Sequence, residues 1–141
     1  MKRSDPLWRK CDALCSQVVS LRDGGKCRSC GQPGQESHHI WPRTYAGTMF
    51  LVENRLFVCR KCHNRPDLSE ICIIIIGQDE FDRLHLIAET VTHLYESDLI
   101  VIRDQLERKL KTYKGTVSGL DDKSVQPRYG GQACTSLVKK R

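Results

Sequence analysis

Apolar and polar positions divide the chain into segments of different period. Leu7, Cys11, Leu14 with Cys15, Val18 and Leu21 recur every three or four residues, the spacing that lines one face of a helix. Ser4-Asp5-Pro6 opens that run with a capping side chain and a proline suited to a first helical turn, and Asp23-Gly24-Gly25 closes it. Between Cys27 and Cys62 the helical period disappears. Glu36 to Trp41 and Arg55-Leu56-Phe57-Val58 read as two short strands, with Gly31, Pro33 and Gly34 marking a turn before the first. Ile71-Cys72-Ile73-Ile74-Ile75-Ile76 is β-branched and predicts a buried strand, although so short a run is also compatible with a buried helical turn. Phe81, Leu84, Ile87, Val91 and Leu94 then make one helical stripe, and Tyr95, Leu99, Ile102, Leu106 and Leu110 a second. Ser97-Asp98 either caps a separate helix or lies within one bent helix. After Tyr113 the composition turns to Gly, Ser, Pro and charge, ending Lys139-Lys140-Arg141.

The pattern predicts an α+β fold. An N-terminal helix over 1–26 packs on a core over 27–76, followed by a helical extension over 77–112 and a flexible basic tail over 113–141. With 141 residues, 39% of them hydrophobic, the core is modest, and a structural metal is a natural supplement. Met-Lys-Arg-Ser-Asp-Pro has no apolar segment behind it, so no signal peptide is expected, and no stretch approaches the ~18 apolar residues of a membrane span. The eight cysteines are therefore expected to work reduced, in a cytoplasmic setting and away from membranes.

Charge sharpens the expectation. The net charge is +6, with 12 Lys/Arg against 5 Asp/Glu over residues 1–65 and the opposite balance over 66–112. The excess coincides with the Cys/His segment, where a phosphate backbone would dock.

Cys27-x2-Cys30 and Cys59-x2-Cys62 are paired as zinc knuckles are, each offering two thiolates to one tetrahedral ion. Four sulfurs close such a site, so this zinc is structural. Cys11 and Cys15, at i and i+4, read as small core residues. The remaining polar set is His38-His39, Asn54 and His63. Adjacent histidines in a strand point to opposite faces and so take different roles: one can bind a second metal with His63, while the other faces a water or a carbonyl. Asn54 can fix the orientation of a histidine.

These residues resemble the HNH, or ββα-metal, nuclease superfamily, through His38-His39-Ile40-x-Pro42, Glu53-Asn54-Arg55-Leu56 and Cys59-x2-Cys62-His63. The resemblance covers about residues 27–65 and implies a small zinc-stapled ββα-metal core. It implies His39 as the general base, Asn54 as the residue holding His39, and His38 with His63 as ligands of one catalytic Mg²⁺ or Mn²⁺. The implied function is hydrolysis of DNA phosphodiester bonds. Histidine stands at position 38, where the superfamily often has aspartate, which leaves other transition metals open. A second likeness covers about 80 residues. Trp8, Val18 to Asp23, Cys27-x2-Cys30-Gly31 and Ile76-Gly77-Gln78-x2-Phe81-x2-Leu84 are similar to lambdoid phage recombination endonucleases of the NinG/Rap kind, implying double-stranded or branched DNA and a bacterial or phage-infected cytosol.

Arg43, Arg55, Arg60, Lys61 and Arg65 are the expected DNA-phosphate contacts. Trp41 is expected to pack over the zinc core, and Asp67 to cap a helix rather than to bind metal. His85 and His93 are expected as packing or surface residues. The helices over 79–112 allow a homodimer. Two other functions are carried: a non-catalytic zinc-ribbon module that binds nucleic acid, and a zinc-stapled adaptor that binds protein through its C-terminal helices.

Overall fold

The computed structural model describes residues 2–117. Among the described residues, five α-helices, two short 3-10 turns (Ala46–Thr48 and Val52–Asn54) and one two-stranded sheet make a mixed α+β fold: α1 (Pro6–Arg22), β1 (Glu36–His39), β2 (Arg55–Val58), α2 (Arg60–His63), α3 (Leu68–Ile76), α4 (Gln78–Thr90) and α5 (Glu96–Val117). Asp5 caps α1, its carboxylate accepting from the Leu7 amide at 2.8 Å with Pro6 at the first position. Gly24 and Gly25 leave the helix with φ of 64° and 69°, which glycine adopts without strain.

β1 and β2 pair antiparallel, Glu36 opposite Val58, His38 opposite Leu56 and His39 opposite Arg55. Alternation gives the sheet two different faces. Leu56 and Val58 join Cys27, Cys30, Cys59, Cys62, Leu68, Ile71, Cys72 and Ile75 in one apolar core. On the other side α1 packs along α5, burying Cys11, Leu14, Val18, Leu99, Leu106 and Leu110 around Met49 and Phe50. Cys11 and Cys15 are core residues there, as their spacing predicts. Each thiol donates to a carbonyl, of Leu99 and of Phe50. Burial pushes the Cys15 thiol up to about 11, so it stays protonated.

Residues 71–76 are helix, not strand. Leu68, Ile71, Cys72 and Ile75 are buried at i, i+3, i+4 and i+7 while Ile74 is exposed, so packing on the sulfur-rich core overrides β-propensity. The two later stripes are separate helices, broken over 91–95, where the Asp98 carboxylate accepts from the Tyr95 amide at 2.8 Å. α5 runs to Val117, so 113–117 are helical; the rest of the expected tail lies outside the described residues. No described helix is long and apolar enough to cross a membrane.

Trp41 does not cover the zinc core. It stacks on Phe81 and His85 of α4, with centroids 4.8 and 4.6 Å away, and meets Tyr45 edge-on. A Cβ on Gly47 would stand 2.6 Å from the Val91 Cβ, so the 46–48 turn approaches the end of α4 as only glycine allows. These contacts tie α4 to the loop that follows His39.

Candidate metal centre and the polar cluster beside it

The two knuckles come together because β2 runs directly into the second of them, while the Arg28 amide bonds the Phe57 carbonyl and so holds the first against the sheet. The Cys27, Cys30, Cys59 and Cys62 sulfurs lie within 4.8 Å of one another, all buried. Sulfurs about 2.3 Å from a tetrahedral zinc stand about 3.8 Å apart. Cys30 Sγ and Cys59 Sγ are 3.8 Å apart, too far for a disulfide and fitting for a shared ion. Backbone amides of Ser29 and Cys30 reach the Cys27 sulfur, and the Cys62 amide donates to Cys59 Sγ at 3.4 Å. Burial, with a smaller part from Cys30, pushes the Cys27 thiol up, so a thiolate there calls for a bound cation. The four cysteines are placed to hold one structural zinc.

Beside this centre, His63 on α2 meets His38 on β1, ring centroids 5.1 Å apart and edge to face. The Glu36 carboxylate contacts His63 Nδ1 and lies 3.5 Å from the Arg60 guanidinium. Glu36 carries no role in the sequence reading. The signal was available: Glu36-x-His38 in a strand puts both side chains on one face. The His63 contact holds the Glu36 carboxyl below its ordinary range. Among the described residues only the four cysteines bring three or more donor atoms within 4.8 Å, so Glu36, His38 and His63 form a looser group.

His39 lies on the opposite face, as alternation requires, and is 8% exposed. Its side chain therefore does not share the face of His38, and the charges that act on it most are those of Arg55, Arg43 and Asp12. Its Nε2 is buried without a hydrogen-bond partner. Asn54 does not bond the ring. Its amide brackets Trp41, two residues on from His39, Oδ1 accepting from the Trp41 amide at 2.8 Å and Nδ2 donating to the Trp41 and Thr48 carbonyls, while the Ile40 amide bonds the Asn54 carbonyl. Asn54 thus fixes the backbone just beyond β1.

Two expected DNA contacts need correction. Arg55 is fully buried and ion-paired to Asp12 of α1 at 2.7 Å. Arg65 is buried and makes a two-point pair with Asp67, which stands at the N-cap position of α3 with no side-chain cap bond. Arg43, Arg60 and Lys61 are exposed.

Burial, then His63, pushes His38 down to about 4; burial, then Arg55 and Arg43, pushes His39 down to about 3. Both rings are neutral at pH 7. In the unfolded chain they titrate near 6.5, so on acidification that state takes up protons first. The stability contributed by neutral rings is complete above about pH 6.5 and is lost as pH falls toward 4 and then 3. Denaturant midpoints should fall across this window, and His39→Gln should remove its share, up to about 1.4 kcal/mol per pH unit. An unchanged slope in His39→Gln would contradict the burial of a neutral ring.

No family model matches the chain, and no curated protein or solved structure does.

Proposed function

We propose that the chain is a metal-dependent endonuclease of the HNH type that hydrolyses DNA phosphodiester bonds. One observation carries the reading: an antiparallel strand pair runs directly into a short helix, and this ββα unit sets His63 against His38 beside a four-cysteine clamp. Two imidazoles with a carboxylate in contact could hold one divalent ion; the HNH likeness implies Mg²⁺ or Mn²⁺, while the imidazole donors also suit borderline ions such as Zn²⁺ or Ni²⁺. His38 and His63 would hold it, with Glu36 on His63 Nδ1 leaving Nε2 for the ion. When bound, the ion supplies charge stabilisation to the phosphate and to the departing 3′ oxygen.

His39 is the last residue of β1, next in the chain to His38. Neutral at pH 7, it takes a proton from water as the water oxygen attacks phosphorus and the P–O3′ bond breaks. The products are a 5′-phosphate and a 3′-hydroxyl. Because Nε2 is closed off from solvent, the segment 41–50 that supplies Arg43 and Met49 beside the ring has to give way as DNA enters. Arg43, Arg60 and Lys61 are the exposed cations for phosphate contacts. The likeness to phage recombination endonucleases makes branched DNA a substrate to try beside duplex.

The closed position of His39 favours a second reading, a non-catalytic zinc-ribbon module that binds nucleic acid. Both readings require electrostatic binding, whereas the adaptor does not. DNA affinity should fall at least tenfold between 50 and 200 mM salt if about three phosphates are contacted. A flat salt response would remove both, and detection of 5′-phosphate ends separates the first from the second.

A further inference from the structure

The turn that follows β1 packs its aromatic rings on α4 and leaves one of them open to solvent. Trp41, held by the Asn54 amide, lies almost parallel to the His85 ring, at an interplanar angle of 4°. That imidazole is fixed in turn by the Glu89 carboxylate, 2.8 Å from His85 Nε2, and Phe81 supports the same indole. Tyr45 completes the arrangement, edge-on to Trp41 with centroids 5.7 Å apart, and its amide bonds the Pro42 carbonyl. The Tyr45 side is 36% exposed, so part of the ring packs and part faces solvent. Two exposed cations stand on the same turn. Arg43 precedes Tyr45 by two residues, and Arg3 reaches over from ahead of α1, its Nη2 donating to the Arg43 carbonyl at 3.3 Å.

An exposed aromatic ring beside guanidinium groups matches the chemistry of an unpaired nucleotide. The ring stacks on the base, whose π-face every sequence offers, while the cations meet the phosphates. A base inside a duplex has both faces covered by its neighbours and cannot use such a ring. We propose that Tyr45, standing on the Trp41–His85 stack, seats one unpaired DNA base, with Arg43 and Arg3 on the adjoining phosphates. Because the stack is already formed, seating a base costs little ordering of the ring. The seat favours gapped, forked or otherwise partly single-stranded DNA over continuous duplex. That the favoured DNA is also cut rests on the nuclease reading; the base contact does not.

The test is fluorescence anisotropy on the zinc-loaded full chain without added Mg²⁺ or Mn²⁺, using three DNAs. These are a continuous duplex, the same duplex with a gap of unpaired thymidines, and that gap built from abasic residues. Wild type should prefer the thymidine gap to the abasic gap by about 5- to 100-fold, the effect of one stacked base. Tyr45→Leu should lose most of that preference, with affinity for the abasic gap within about twofold of wild type, and Tyr45→Phe should keep it. Arg43→Gln should weaken binding to all three DNAs alike. Should Tyr45→Leu fail to fold, ultraviolet crosslinking of wild type to bromodeoxyuridine in the gap should mark Tyr45. Equal wild-type affinity for the two gaps, a preference that survives in Tyr45→Leu, or crosslinks that avoid Tyr45 would overturn the proposal. A thymidine-gap preference in a chain that cuts no DNA when metal is added would end the nuclease reading and leave the seat standing.

Discussion

Replacing His39 with alanine should abolish DNA cleavage while leaving the zinc in place. A positioned general base contributes on the order of 10²–10⁴-fold, so the variant should fall by at least about 100-fold in kcat. The ring lies outside the cysteine cluster and on the other sheet face, so zinc stoichiometry should not change. Stability should fall by roughly 1–3 kcal/mol, the usual range for a buried side chain lost from a small core. Circular dichroism, zinc content and a plasmid-nicking time course on one preparation separate these effects. A folded, zinc-loaded His39→Ala protein that cuts at the wild-type rate would remove the base from the mechanism.

Replacing Cys30 with serine should have the larger effect on the fold. Structural zinc in small domains contributes apparent binding free energies of about 10–16 kcal/mol, comparable with the whole stability of a domain this size. The apolar residues next to the cysteines are few: Leu56 and Val58 from the sheet, and Leu68, Ile71, Cys72 and Ile75 from α3. That cluster cannot replace a closed four-sulfur site. Zinc stoichiometry and cooperative unfolding of 27–76 should be lost together, and a chelator should reproduce the result in wild type. α1 and α5 bury a core with no zinc ligand in it, so part of the helical signal should survive. An unchanged zinc count in Cys30→Ser would refute the assignment.

The two predictions separate because the sheet has two faces, and that division explains which parts of the molecule were legible in the sequence. The zinc cysteines were legible because each pair is local: two residues between thiols fix the knuckle whatever surrounds it. The α1 stripe was legible for the same reason, since Cys11, Leu14 and Val18 carry their period within one helix. Ile71–Ile76 was not, because β-branched composition pointed to a strand. The deciding information was Leu68, whose spacing to Ile71, Cys72 and Ile75 completes a helical face against the sulfur core.

Among the site residues, the rings of His38 and His63 lie edge to face, the pairing that the HNH resemblance implies and that the spacing left open. Glu36 escaped notice because its partner lies 27 residues away, across the zinc-closed loop. Arg55, expected at DNA phosphates, is buried for a similar reason. Its motif position resembles a basic surface, but Asp12 and Ser16 on α1 receive the guanidinium inside the fold. Trp41 leaves the zinc core for α4, since the packing of that helix brings Phe81 and His85 against its ring. Contacts set within a few residues were readable; contacts made by elements returning from a distance were not.

The central claim is that the zinc-clamped ββα unit cuts DNA with the help of a divalent ion. Its most direct test is incubation of the zinc-loaded wild-type chain with supercoiled plasmid and with a four-way junction, in Mg²⁺, in Mn²⁺ and after EDTA treatment. Nicking or linearisation that depends on added metal and leaves 5′-phosphate ends is the predicted result. DNA that stays intact in every metal, while the same preparation holds one zinc per chain and binds DNA in a salt-sensitive way, would contradict it and leave a zinc-ribbon binding module in its place.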